Sequence, residues 1–221
     1  MREVVLDTET TGLDPEAGHR VVEVACIELV NHVPTGRSFH RYINPERAMP
    51  ADAMQVHGLT DAFLAQHGLF ASVADELVAF IGDGPLVAHN AEFDLGFLNA
   101  ELRRLERQPL ACAAIDTLTL ARRRYPGSPA SLDALCRRYD IDLSAREKHG
   151  AHLDCELLAA VYLELVGGRQ PGLDLAAGIA VGRQAAAQRP FRTPRPHAAS
   201  EFELAAHAAF LKKIAAPIWL Q

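Results

Sequence analysis

Three apolar runs crowd into the first 45 residues, at 3–8, 20–30 and 36–45, with only short segments between them. All three read as strands: the second, "RVVEVACIELV", sets Val22, Val24 and Cys26 in alternation against Glu23, and the third is "GRSFHRYINP". Strands in direct succession suggest a meander. From Ala51 onward the period turns helical, most clearly in "SVADELVAFIG", where Ser72 is the expected N-cap with Asp75 three residues on. "PLVAHN" then reads as a short buried strand leading into the amphipathic "EFDLGFLNAELRRLE", and "LACAAIDTL" supplies a fifth strand. Helical patterns follow in "SLDALCRRYD" and in "HLDCELLAAVYLELVGG", which stops at a glycine pair. Strands first and strand–helix alternation afterwards predict an α/β fold with a mixed five-stranded sheet flanked by helices.

Composition changes near Arg169. Up to Gly168 the chain has 15 basic and 25 acidic residues; from Arg169 it has 7 and 3, so a body near −10 is followed by a tail near +4. So acidic a body is a poor nonspecific nucleic-acid binder, because that binding comes mainly from Lys and Arg neutralising phosphates. An acidic site that captures metal ions is compatible with it. No apolar run approaches the roughly 20 residues that a membrane span needs, so no membrane is expected. The start of the chain lacks the basic, apolar and cleavage regions of an export signal. Cys26, Cys112, Cys136 and Cys155 form no CxxC pair, which fits reduced thiols in packing roles and a cytoplasmic protein.

The chemistry concentrates in "VVLDTETTGL", residues 4–13. Side chains alternate along a strand, so Asp7 and Glu9 point to one face, with Val5. Neighbouring carboxylates repel unless protons or cations intervene. Two further segments add to them. "HNAEFD" places Asp94 just inside a helix after a buried strand, and "HGAHLD" places Asp154 near the start of another helix. His149, five residues before Asp154, would be turned about 140° away on one continuous helix, so it belongs to the entry loop, turned by Gly150. Four converging carboxylates have the oxygen-only chemistry that Mg²⁺ or Mn²⁺ prefers.

In that order, "DTETTG", "HNAEFD" and His149 with Asp154 resemble the three motifs of the DEDDh exonuclease family, and the similarity extends over residues 3–168. The resemblance implies a ribonuclease H-like fold. It also implies two divalent cations held by Asp7, Glu9, Asp94 and Asp154, and His149 as general base. The expected activity is 3′ to 5′ removal of nucleoside 5′-monophosphates from a single-stranded or frayed DNA end. Thr10, Thr11 and Gly12 are either the turn after the strand or, as in the family, backbone near the terminal nucleotide. Val56 and His57 in "QVHGLTD" flank the terminal base in the family, although His57 reads equally well as a surface or capping residue. His89, Asn90 and Phe93 are read first as packing and loop hydrogen bonds, and second as substrate contacts. His152 is read as helix surface, and Arg122 to Arg124 as a solvated face with phosphate contact as the alternative.

Residues 176–199, rich in Ala, Gln, Arg and Pro, read as a flexible linker within a tail that begins at 169. Just before it, "QPGLDL" resembles a sliding-clamp-binding peptide, with Gln170, Leu173 and Leu175 as anchors. Beyond it, "SEFELAAHAAFLKKI" opens with a capping-box spacing, Ser200 to Glu203, and carries Leu204, Ala208, Leu211 and Ile214 on one stripe, followed by Trp219. By the same resemblance, Leu204, Leu211, Ile214 and Trp219 bind the catalytic subunit of a replicative polymerase. Two other functions share these features: an RNA 3′-end-trimming exonuclease of the same fold, and a non-catalytic adaptor between polymerase and clamp.

Overall fold

The computed structural model of the protein describes residues 1–144, 146, 148–167 and 198–214. They belong to two compact units, Met1–Gly172 and Leu173–Gln221. In the first, β1 (Arg2–Thr10) pairs antiparallel with β2 (Val21–Val30), which pairs antiparallel with β3 (Val33–Tyr42), as the meander predicts. On its other side β1 pairs parallel with β4 (Leu86–Ala88), and β4 with β5 (Ala114–Asp116), giving the order β3-β2-β1-β4-β5. The helices are α1 (Ala51–His57), α2 (Asp61–Leu64), α3 (Phe70–Ile81), α4 (Ala91–Arg104), α5 (Thr117–Arg124), α6 (Leu132–Arg138) and α7 (Ala151–Leu165).

Strand alternation divides the core in two. Val4, Leu6, Val24 and Cys26 pack with Phe70 and Leu77 of α3 and Phe97 of α4, whereas Val5, Ala25 and Ile27 pack with Leu158 and Val161 of α7. Asp7 and Glu9 therefore share the face of Val5, toward α7. Because both faces are covered, β2 is buried from Val21 to Leu29, and even Glu23 is only 3% exposed. Cys26, Cys136 and Cys155 are buried and all four thiols are free, consistent with packing.

Several boundaries differ from the sequence reading. Asn31 and His32 both take left-handed conformations, φ 52° and 67°, and make a tight hairpin turn, so the third strand starts at Val33 and ends at Tyr42. Ser72 is not an N-cap. The buried Phe70 begins α3 a turn earlier, Leu69 caps it, and Ser72 Oγ donates to Leu69 O at 2.7 Å. The fifth strand is short because Asp116 ends it by capping α5, accepting from Leu118 N at 3.0 Å.

The second unit contains α8 (Glu201–Leu211). Its capping box is formed: Glu203 N donates to Ser200 Oγ at 3.3 Å and Ser200 N to Glu203 Oε2 at 2.8 Å. Phe202, Leu204 and Phe210 are 83%, 56% and 59% exposed, while Leu211 is buried. Gln170, Leu173, Leu175 and Trp219 lie outside the described residues.

Candidate active site

Sheet topology brings the separated acids together. Asp7 and Glu9 lie toward the C-terminal end of β1, and the parallel β4 delivers the chain at that same end into α4, whose first turn carries Asp94. The first turn of α7 carries Asp154. Asp94 and Asp154 are each 3% exposed and Glu9 is 8% exposed, while Asp7 opens onto a cavity of about 700 Å³ that Asp154, His149 and Arg146 also line. Carboxylate oxygens of Glu9 and Asp154 and a ring nitrogen of His149 all lie within 4.8 Å of one another.

Burial and crowding make Asp7, Glu9 and Asp94 reluctant to ionise. Asp7 is held well above the usual carboxylate range, first by burial and then by Asp94, Glu9, Asp154 and Glu23. Burial, with Asp154 and Glu23, raises Glu9 to about 8 despite the opposing pull of Arg146. Asp94 rises to about 7 through burial, although Thr8 Oγ1 donates to its Oδ1 at 2.7 Å. A cluster of buried oxygen donors short of positive charge fits hard divalent cations, and Asp7, Glu9, Asp94 and Asp154 are the groups that would hold them.

This arrangement fixes the sign of a pH effect. Asp7, Glu9 and Asp94 have folded-state values raised above their unfolded ones, so between about pH 4.5 and 8 the folded chain binds more protons than the unfolded chain. Stability is therefore present at low pH and lost as pH rises through that window. In chelator, the thermal midpoint is expected to fall by roughly several degrees between pH 5 and pH 8. Added Mg²⁺ should recover most of it at pH 8; a midpoint flat across the window would mean that burial and crowding do not hold these carboxyls above their ordinary values.

His149 precedes α7 in the entry loop, as predicted. Gly150 caps the helix in an extended conformation, and His149 N donates to Val56 O at 3.2 Å. Its side chain is 49% exposed, with Nδ1 3.5 Å from Asp154 Oδ2.

A second cavity of about 360 Å³ adjoins Glu9 and gathers Thr10, Gly12, Val56, His57 and Phe93. His57 is 6% exposed, which overturns its reading as a surface residue. Its Nδ1 accepts from Leu59 N at 3.0 Å, while its buried Nε2 finds no well-formed hydrogen bond. Burial pushes its pKa down, so the ring is neutral at neutral pH. Thr11 and Asn90 stand apart from this group. Thr11 is buried, and its Oγ1 accepts from Arg20 N at 3.0 Å. Asn90 caps α4 in a left-handed conformation, φ 75°, with its N–H on Asp116 Oδ1 at 2.9 Å. A Cβ at Gly12 would lie 2.3 Å from the His19 ring, so a larger residue there would have to push that side chain aside, a constraint the motif does not display.

His89 Nδ1 lies 2.9 Å from Thr117 Oγ1, while His152 lies beside His40 on the outer flank with ring centroids 5.2 Å apart. Arg122 lines the larger cavity, and Arg124 instead donates to Leu165 O at 2.7 Å.

Sequence reasoning missed two charged groups. Glu23 stands opposite Glu9 in the β1–β2 register and pairs with His40 Nε2 at 2.7 Å. Arg146 Nε and Nη2 each lie 2.6 Å from an oxygen of Asp154. The strand register could have found Glu23, since it puts that residue on the face of Ala25; nothing in the local pattern marks Arg146.

Comparison with known proteins matches residues 4–162 to the Exonuclease family model. The DNA polymerase III subunit epsilon of Rickettsia felis is 55% identical over 174 residues, covering 77% of this chain and 76% of that protein. The subunit of the same name from Salmonella typhimurium is 43% identical over 224 residues, covering 95% and 92%. Among solved structures, Exonuclease X in complex with 5′ overhanging duplex DNA superposes with a TM-score of 0.58 at 25% identity, covering 74% of this chain and 90% of that one.

Proposed function

The chain belongs to the exonuclease family, among the epsilon subunits of DNA polymerase III, and from that premise we propose how its residues perform 3′ to 5′ proofreading hydrolysis. The observation that carries the reading is the convergence of Asp7, Glu9, Asp94, Asp154 and His149 beside a cavity lined by Gly12, Val56, His57 and Phe93. Two divalent cations, Mg²⁺ or Mn²⁺, would supply charge neutralisation at the scissile phosphate and an activated water near neutral pH. Asp7, Glu9, Asp94 and Asp154 hold them in this reading.

The chain's own groups do the rest. Val56 and Phe93 offer apolar contact to the terminal base, Thr10 and Gly12 offer backbone close to the sugar, and the neutral His57 ring offers Nε2 as a polar contact. His149 takes the proton of the attacking water at Nε2, since Nδ1 faces Asp154. Water oxygen bonds to phosphorus, the bond from phosphorus to the 3′ oxygen of the preceding nucleotide breaks, and a nucleoside 5′-monophosphate leaves.

The tail serves as a tether. An isolated helix of the length of α8 is marginal in water, so Leu204, Leu211, Ile214 and Trp219, the anchors expected from the sequence, would gain stability by docking, with the exposed Phe202 and Phe210 beside them. We assign that docking to the catalytic (alpha) subunit of DNA polymerase III, and assign clamp binding to Gln170, Leu173 and Leu175. Working in the cytoplasm with the replisome at the nucleoid, such a tether raises the local concentration of a weakly DNA-binding body at the growing end. No helix among the described residues is long and apolar enough to cross a membrane.

The test uses 5′-labelled single-stranded DNA and matching RNA, with Mg²⁺, Mn²⁺ or chelator, for the full chain and a chain lacking residues 200–221. Stepwise metal-dependent shortening of DNA, equal in both proteins, with co-elution with the alpha subunit lost only in the truncated one, is expected. Faster cutting of RNA, or no cutting by the folded chain, would overturn the reading.

A further inference from the structure

Among the described residues, Asp154 is the one motif acid of the four with a cation seated on it. Arg146 grips it with a two-pronged fork, Nε to Oδ1 and Nη2 to Oδ2, both at 2.6 Å. The same guanidinium donates through Nη1 to Asp133 Oδ1 at 2.5 Å and through Nη2 to His149 Nδ1 at 3.0 Å. Its side chain is 8% exposed although it comes from the loop between α6 and α7. Among the described residues, Asp7 and Asp94 have no such partner, and Arg146 draws Glu9 back toward ionisation.

A fork that places one N–H on each oxygen of Asp154 occupies the best-aligned lone pair of both and sets a positive charge beside them, so it competes with an incoming cation for this carboxylate. Building on the reading that Asp154 is a metal ligand, we propose that Arg146 is a positioning residue that stands in for a divalent ion on Asp154, so that Arg146 and the ion take this carboxylate in turn. The fork keeps Asp154 neutralised while no ion is bound. When an ion takes the carboxylate, Asp133 still anchors the guanidinium at the cavity wall.

Coupling of this kind is reciprocal: whatever factor the fork takes from ion affinity, the ion takes from the fork. Couplings typically span about 5–150-fold, so R146Q should bind Mn²⁺ about tenfold or more tightly than the wild-type chain. R146K, which keeps the charge but not the fork, should tighten it by a smaller factor. Calorimetry on the full-length chain measures both. Independently, the Arg146 Nε–H resonance, assigned by its loss in R146K, should shift as Mg²⁺ is added and exchange faster with water.

Unchanged or weaker Mn²⁺ affinity in R146Q, or an Nε–H signal unmoved at saturating Mg²⁺, would overturn the proposal. Wild-type affinity in R146K beside tighter binding in R146Q would reduce the effect to net charge and also overturn it. Absence of Mn²⁺ binding by the wild-type chain is a different failure, that of the metal reading beneath it.

Discussion

Asp7→Asn should lower the rate of single-stranded DNA hydrolysis by about a thousandfold and, at pH 8 in chelator, raise the thermal midpoint. The two effects have opposite signs for one reason. Asp7 lies where the fields of Asp94, Glu9, Asp154 and Glu23 add, which is where a bound cation is best stabilised and a bare carboxylate is worst placed. At pH 8 the unfolded chain holds Asp7 ionised; folding without metal must either protonate it or bury its charge among four other acids, and both cost free energy. Asparagine keeps the shape and removes that cost. Initial rates in Mg²⁺, with melting curves in chelator and in Mg²⁺, measure both halves. A variant within about tenfold of wild-type activity would mean that Asp7 holds no ion, because a lost coordination bond costs far more than the 1.36 kcal/mol that a tenfold change represents.

The legible part of the site was the part governed by local periodicity. Asp7 and Glu9 share a face because strand side chains alternate, and Val5 on the same face tied them to a buried layer. Asp94 and Asp154 were readable as helix-start acids, but their approach to Asp7 depends on the parallel pairing of β1 with β4 and on α7 lying across the sheet, relations that span much of the chain. Glu23 looked like the polar side of an alternating strand, yet a sheet covered on both faces has no polar side, so it became a buried carboxylate beside the four motif acids, paired with His40. Arg146 sits in "SAREKHG", where a basic residue among charges reads as solvent-facing loop; only the fold places Asp133 and Asp154 around it. The Ser72 cap failed for a related reason, since burial of Phe70 outweighs a local capping preference.

His149→Ala should lower kcat by about a hundredfold to ten-thousandfold while leaving Mn²⁺ affinity within a few-fold of wild type. The second half decides the role. A ring nitrogen of His149 comes within 4.8 Å of the Glu9 and Asp154 oxygens, so the residue has the geometry of a ligand as well as that of a base. A ligand's loss would weaken Mn²⁺ binding by about tenfold or more, whereas a base's loss acts on rate alone. The contact with Arg146 adds a condition. Arg146 has only N–H donors, so its 3.0 Å contact makes His149 Nδ1 the acceptor and leaves the proton of the neutral ring on Nε2, the wrong tautomer for taking a proton there. Without the Arg146 contact, Nδ1 can carry the proton toward Asp154 Oδ2, 3.5 Å away, which leaves Nε2 as the unprotonated nitrogen. If Arg146 gives up its contact with His149, the histidine would thereby gain the tautomer that a base needs, so the position of Arg146 would bear on the base as well as on Asp154.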